Sequence, residues 1–400
     1  MHAVVLGGGG LTGRCTVREL TRSKTFDEIT VADLDLELAE NSAKHAPKGR
    51  ATARRLDVQD PESLKEALKG ADVCVNAVQY TFNLPVMEGC LSARVPYLDF
   101  GGLFHTTRRQ LELDQRFRDA KLIAIPGLGQ VPGVSNVLAA QATHDMEMVQ
   151  SIVIRDGWRD FTKGGPEVSF TWSPSTFLDE MLLNGVIWDD GAYREVPPMS
   201  DAEEYDFPAP VGKTRIYRTL HSEAATLPES LAAKRLQHCE WKEGGPGIDL
   251  LRSLALIGLG SKTPVEVHGS SVVPREFLLA LLKREKLLGV PAGVSINDWE
   301  ITDLEVRGTV KGRQVTRHAQ ARFPSKPDWG LSATQYAVGI CGAIGAEMIA
   351  RGEISSHGVL PPERCVPPGP FRSALAERGV VSTITPPENP LPAFDPKLTS

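Results

Sequence analysis

The feature that most constrains this chain is the run Val4-Val-Leu-Gly-Gly-Gly-Gly-Leu-Thr-Gly13, where four glycines separate a β-branched stretch from a helical window. Glycines after a strand let the backbone approach a pyrophosphate without Cβ obstruction, and the helix that follows aims its positive end at the phosphates. The run reads in two registers, Gly8-x-Gly10-x-x-Gly13 and Gly7-x-x-Gly10-x-x-Gly13, and Gly10 and Gly13 belong to both. Gly8, Gly10, Leu11, Thr12 and Gly13 are therefore candidate dinucleotide contacts. Asp33 follows the second strand-like stretch about twenty residues on, where an acidic side chain accepts hydrogen bonds from the adenosine ribose. It would repel a 2'-phosphate, and its neighbours Leu34 and Asp35 bring no cation, so NAD is expected ahead of NADP. The competing readings are a tight turn without nucleotide and an aspartate that only caps the next helix.

The first third alternates strands with amphipathic helices, the pattern of successive βαβ units. Strands are predicted at Ala3–Leu6, Ile29–Ala32, Ala51–Arg55, Val73–Asn76, Tyr97–Asp99 and Leu122–Ile125. Helices are predicted at Gly13–Leu20, Leu34–His45, Pro61–Leu68, Val86–Ala93 and Thr107–Ala120. Beyond Gly127-Leu-Gly-Gln-Val-Pro-Gly133 the texture changes to aromatic, turn-rich segments. A long helical window, Ser332–Arg351, then carries Gly339, Gly342 and Gly345 at three-residue spacing, suited to close packing. The expected architecture is α/β: a doubly wound parallel Rossmann sheet at 1–130, an inserted α+β substrate and dimerisation domain at 131–328, and a segment at 329–385 whose helix returns to the first domain. A flexible proline-rich tail is expected at 386–400.

Apolar residues make up 41% of the 400 and charged ones 24%, enough for a sizeable core. A formal charge of -6 gives no basic footprint for nucleic acid. No apolar stretch is long enough for a membrane span. The six cysteines are dispersed, without zinc-ligand spacing, which leads to an expectation of free thiols in a cytoplasmic protein and of no metal. Met1 runs straight into the first strand, with no secretory leader.

The segments Asn76-Ala-Val-Gln-Tyr-Thr-Phe-Asn83, Tyr97-Leu-Asp-Phe-Gly-Gly102 and Pro126-Gly-Leu-Gly-Gln-Val-Pro-Gly133 resemble the saccharopine dehydrogenase-like family, in particular its lysine 6-dehydrogenase branch. Leu220-His-Ser-Glu-Ala-Ala-Thr-Leu-Pro228, Val273-Pro-Arg275 and the stretch 354–362 extend the resemblance over nearly all of 1–385. It implies an NAD(P)-dependent oxidoreductase acting at a carbon that bears an amine, with an amino acid, lysine first, as substrate. A homo-oligomer, a dimer first, is expected.

Hydride leaves readily only from the carbon of a neutral amine, so a base must take the ammonium proton. His105, just past Asp99 and Gly101-Gly102, is one candidate; His221 with Glu223, two residues apart and on one face if the segment is a strand, is another. Asp99 is a candidate for holding the substrate amine. Asp57 and Val58 suit the adenine, and Asn76 and Ala77 the ribose or phosphates, because ligands lie beyond the carboxyl ends of parallel strands. Gly133 offers a backbone donor, and Tyr80, Asn83 and Asn136 are candidates for the pocket wall. A substrate carboxylate calls for a guanidinium, with Arg215, Arg218 and Arg275 as candidates. Two rivals stay open. A short-chain-type reductase usually needs Tyr-x-x-x-Lys, and no tyrosine here has lysine four residues later. The other rival is a coenzyme sensor without turnover.

Overall fold

The computed structural model describes residues 1–164, 170, 173–289 and 293–386. The expected tail lies outside the described residues, apart from Pro386. The strands are β1 His2–Leu6, β2 Glu28–Asp33, β3 Ala51–Arg55, β4 Val73–Asn76, β5 Tyr97–Asp99, β6 Ile123–Ile125, β7 Met148–Asp160, β8 Gly185–Asp189 and β9 Ala192–Val196. They continue as β10 Ser200–Asp206, β11 Lys213–Arg218, β12 His238–Gly244, β13 Val265–Val267, β14 Ser270–Val272, β15 Asp298–Val310, β16 Arg313–Pro324, β17 Gly358–Val359 and β18 Val381–Thr385.

The first sheet is parallel, in the order β17-β6-β5-β4-β1-β2-β3. Val5 on the central β1 pairs with Val31 on one side and Val75 on the other. The order reverses between β1 and β4, and a crevice opens at such a switch point beyond the strand ends. The six expected strands are all present. The edge strand β17 comes from the closing stretch and was not anticipated.

Three predicted helices differ, one of them only in starting at Asn83 rather than Val86. The second begins at Leu36 rather than Leu34, because the Asp35 carboxylate caps it by accepting from the backbone N–H groups of Glu37 and Leu38. The segment expected as one helix at Thr107–Ala120 is two, Leu103–Leu111 and Asp114–Ala120.

The second sheet is mixed, in the order β10-β11-β12-β7-β15-β16-β18, with β8 against β12 and β9. Of its long strands, β16 alternates buried and half-exposed residues, whereas β7 and β15 are buried on both faces over their middle residues. The helix Ala333–Ala350 returns to the Rossmann unit, as the sequence predicted. A methyl group added at Gly339 would meet Cys15, one at Gly342 would meet Phe100, and one at Gly345 would meet Leu128. The Thr16 hydroxyl donates to the Gly339 carbonyl at 3.0 Å across this interface. A single buried apolar cluster runs from Val5 and Leu98 through Ile344 to Ile152 and Leu304, so the two sheets share a core. All six cysteines are free and buried. Among the described residues no helix is long and apolar enough to cross a membrane.

Candidate active site

A cleft of about 460 Å³ runs from the glycine loop to the second sheet. At one end it is lined by Leu11, Thr12, Ala77, Val78 and Gly101, beyond the carboxyl ends of β1, β4 and β5; at the other by His221, Trp241, Glu243, Asp156, Glu300 and Glu180.

The dinucleotide end fits a nicotinamide coenzyme. A Cβ at Gly13 would collide with the Gly7 backbone, so helix and strand meet here only through glycine. Thr12 caps the helix Gly13–Arg22 without a side-chain hydrogen bond; the Arg14 and Cys15 N–H groups turn back onto the Gly10 and Thr12 carbonyls, so it is the positive end of the helix dipole that faces a phosphate here. Asp33 accepts from the Gly9 N–H at 3.0 Å and from the Asp35 N–H at 3.1 Å, one bond per oxygen, so it retains acceptor capacity for a ribose. Asp33 lines a shallow hollow together with Arg55, which sits opposite it in the β2–β3 register. This cation belongs to the neighbouring strand, not to the residues next to Asp33 in the chain. Asp57 is exposed and accepts from the Gln59 N–H, with Val58 half-buried beside it.

At the other end, strand alternation sorts the charges. Glu243 on β12 pairs with Asp156 on β7, and Glu300 on β15 pairs with Trp158 on β7, which places all three carboxylates on one face. Each has a hydroxyl donor: Thr219 to Glu243 at 2.6 Å, Thr302 to Asp156 at 2.6 Å and Thr334 to Glu300 at 2.5 Å. Burial, together with repulsion from neighbouring carboxylates, pushes Asp156 and Glu180 well above the usual carboxylate range. Burial raises Asp298, on the same cleft wall, to about 7. Glu180 keeps one oxygen, Oε2, without a hydrogen-bond partner among the described residues although its side chain is buried.

His221 stands over this row. Its ring stacks on Trp241 with centroids 4.0 Å apart, Nδ1 is bonded to the Glu223 carboxylate, and Nε2 lies 4.0 Å from Glu180 Oε1. Glu223 therefore fixes the proton on Nδ1 and leaves Nε2 as the basic nitrogen. Burial opposes the imidazolium, but Glu223 and Glu243 outweigh it and lift the His221 pKa above its ordinary value. The pair was anticipated, its setting was not: β11 ends at Arg218, His221 lies in the loop after it, and Glu223 opens a 3-10 turn.

Several candidates are placed elsewhere. His105 is on the exposed side of the helix Leu103–Leu111, edge-on to Phe104, and is absent from the cleft lining. The chain turns into helix directly after Gly102, which carries His105 outward. Asp99 is fully engaged, accepting from the N–H groups of Gly101 and Gly127 with one oxygen and from Tyr97 and Gln110 with the other. It pins the loops after β5 and β6 and has no site left for an amine.

Asn76 donates to Asn83 and Tyr97, and Asn83 to the Gly101 carbonyl, so both brace the cleft floor from behind. Asn136 caps its helix through the Gly133 N–H and donates to Glu363. Gly133 packs on Gly129, and neither it nor Asn136 is in the lining. Tyr80 does line the cleft, and its hydroxyl donates to Asp179.

Arg218 lies on the opposite face of the sheet with Lys242 and Arg155, in a network with Asp201, Glu203 and Glu240. Arg215 is exposed over Tyr217, and Arg275 is buried against Asp179 at 2.5 Å. None of these three is in the cleft lining.

Sequence comparison matches the saccharopine dehydrogenase NADP binding domain to residues 3–125 and the saccharopine dehydrogenase C-terminal domain to residues 129–380. The chain belongs to the saccharopine dehydrogenase family. Among relatives, a carboxyaminopropylagmatine dehydrogenase from Synechocystis sp. is 24% identical, over 95% of this chain and 96% of its own. A carboxynorspermidine synthase from Vibrio cholerae is 25% identical over the same shares. The saccharopine dehydrogenase (L-Glu forming) from Saccharomyces cerevisiae superposes with a TM-score of 0.72 at 18% identity, covering 96% of this chain and 99% of that one. These matches establish the fold and the oxidoreductase family that the sequence motifs suggested. Within this saccharopine dehydrogenase family fold, Asp156, Glu180, Glu243, Asp298 and Glu300 were all missed. They come from separate segments, and nothing in local spacing signals that they share a wall.

Proposed function

We propose that this family member moves hydride between a nicotinamide coenzyme and the carbon of a C–N bond, in a substrate carrying at least two ammonium groups. The observation that carries this reading is the row Glu243, Asp156 and Glu300, with no lysine or arginine among the described residues paired to it, beside the His221–Glu223 pair. Ammonium groups would restore charge balance to these carboxylates and draw them into the ionised form. The row spans three strands, about 10 Å at ordinary strand spacing. That width favours a chain with well-separated charges, of the carboxylated polyamine kind named for the Synechocystis and Vibrio relatives, over lysine itself.

The coenzyme, when bound, takes or supplies the hydride at its nicotinamide ring. His221 Nε2 takes the proton that must leave the substrate nitrogen before hydride transfer, and Glu223 stabilises the imidazolium that results. The nitrogen becomes an iminium cation as hydride departs, and Glu180 and Glu243 face that charge in a site shielded from water. In the reverse direction the same carboxylates hold the iminium and His221 returns the proton.

The test is coenzyme absorbance with a panel of carboxylated polyamines, saccharopine, lysine, alcohols and sugars. The carboxylated polyamines are expected to exceed lysine in kcat/KM by about tenfold or more, one lost charge contact being worth that much. Turnover confined to alcohols or sugars, or none at all, rejects the reading.

For the coenzyme we propose NAD(P), with Arg55 supplying a partner for a 2'-phosphate beside Asp33. Arg55→Ala is expected to raise the Kd for NADPH roughly fivefold to tenfold and to change that for NADH less than about twofold. Equal shifts in a fluorescence titration of both coenzymes exclude that role.

A further inference from the structure

Gln130 has no part in the chemistry above, yet its setting is unusual. It is fully buried, it belongs to the cleft lining together with Thr12, Val78 and Gly101, and neither its amide oxygen nor its amide nitrogen has a hydrogen-bond partner among the described residues. Native proteins satisfy nearly all buried polar groups, and an amide with both ends stranded calls for a ligand that completes it.

The loop holding Gln130 is fixed on both sides. The Leu128 N–H donates to the Asp99 carbonyl at 2.7 Å and the Gly129 N–H to the Pro132 carbonyl at 2.8 Å. Gly133, at φ +132°, packs so closely on Gly129 that a side chain there has no room. The side chain is therefore presented by a rigid frame at the carboxyl end of β6, next to the ends of β1, β4 and β5 along which a dinucleotide extends.

The neighbouring chemistry narrows the ligand. The cleft answers cations with carboxylates, whereas Gln130 is neutral and offers one acceptor and one donor group side by side. A primary carboxamide is complementary to that pattern, accepting at its oxygen and donating at its nitrogen.

We propose that Gln130 reads the carboxamide of the nicotinamide ring and so fixes which face of the ring turns toward His221. This rests on the coenzyme reading above, and the experiment separates the two. Calorimetry on the full chain compares NADH with ADP-ribose, which has no nicotinamide, for the wild type, Gln130→Leu and Gln130→Glu.

Both variants are expected to weaken NADH by about tenfold or more and to leave ADP-ribose within about twofold. Parallel losses for both ligands, or no loss for NADH, overturn the proposal. Should the variants fold poorly, the wild type decides by itself: it is expected to bind NADH at least about fivefold more tightly than the reduced 3-acetylpyridine analogue, whose ring lacks the amide nitrogen. Equal binding of those two overturns the proposal as well. No uptake of any coenzyme by the folded wild type would remove the coenzyme reading, and this proposal with it.

Discussion

Exchanging His221 for asparagine is expected to lower kcat by about 100-fold to 10,000-fold, the usual worth of a positioned acid–base group. Coenzyme binding should change far less, since Thr12 and Ala77 belong to the loops after β1 and β4 and His221 to the loop after β11. Glu223→Gln separates the two parts of the role. It keeps a hydrogen-bond partner for Nδ1 but deletes the charge that raises the His221 pKa. The imidazole then loses its proton at lower pH, so the rising, acid-side limb of amine oxidation should move to lower pH, and the falling, alkaline limb of the reverse reaction should also move to lower pH. His105→Ala is the control, with kcat expected within about twofold of wild type because nothing in the cleft touches it. A pH–rate series on all three variants checks this, and an unchanged limb in Glu223→Gln would count against the pairing.

Arg275→Met is expected to cost about 3 kcal/mol of stability, because removing one partner of a buried ion pair leaves the other charge stranded. Arg275 and Asp179 are both nearly inaccessible, and the guanidinium also donates to the Gly260 carbonyl at 2.8 Å. Tyr80 and Lys262 still reach Asp179, but Lys262 is 63% exposed and compensates weakly. Asp179 sits beside Glu180 on the helix Pro174–Leu182, so the loss should extend to the cleft and raise substrate KM. Urea-induced unfolding measures the stability term, and a loss below about 1 kcal/mol would show the pair to be dispensable. Asp179→Asn combined with Arg275→Met should recover part of the deficit, since no buried charge is then left unpaired and Lys262 is solvated.

The Rossmann half was legible because its signals are local. Glycines 7 to 13 with Asp33 announce a phosphate loop, and strands such as Ala51–Arg55 and Val73–Asn76 are bounded by turn residues. The returning helix was readable from Gly339, Gly342 and Gly345, where small residues imply a close neighbour. Site residues fared unevenly for one reason: local sequence tells what a side chain can do, not which way it faces. His221 and Glu223 are close in the chain and could be found together. His105 looked equally suitable, but one helical turn beginning at Leu103 sends it outward. Asp99 had the right chemistry and the wrong employment, since two turns and two side chains already occupy it. Arg55 was recoverable in principle, because parallel order places the end of the third strand beside that of the second. The carboxylate wall was not, since it depends on pairings between β12, β7 and β15 that only the assembled sheet defines.

That pairing gives the substrate's polarity an arithmetic basis. In β12, Glu243 faces the cleft while the adjacent Lys242 faces away; in β7, Asp156 and Arg155 divide the same way. Deleting one residue upstream within either strand would swap the parity and turn a cation inward where an anion now stands. The preference proposed for positively charged ligands is thus tied to odd and even positions, and a lineage could trade it for affinity toward anions by a single-codon indel, without inventing one new side chain.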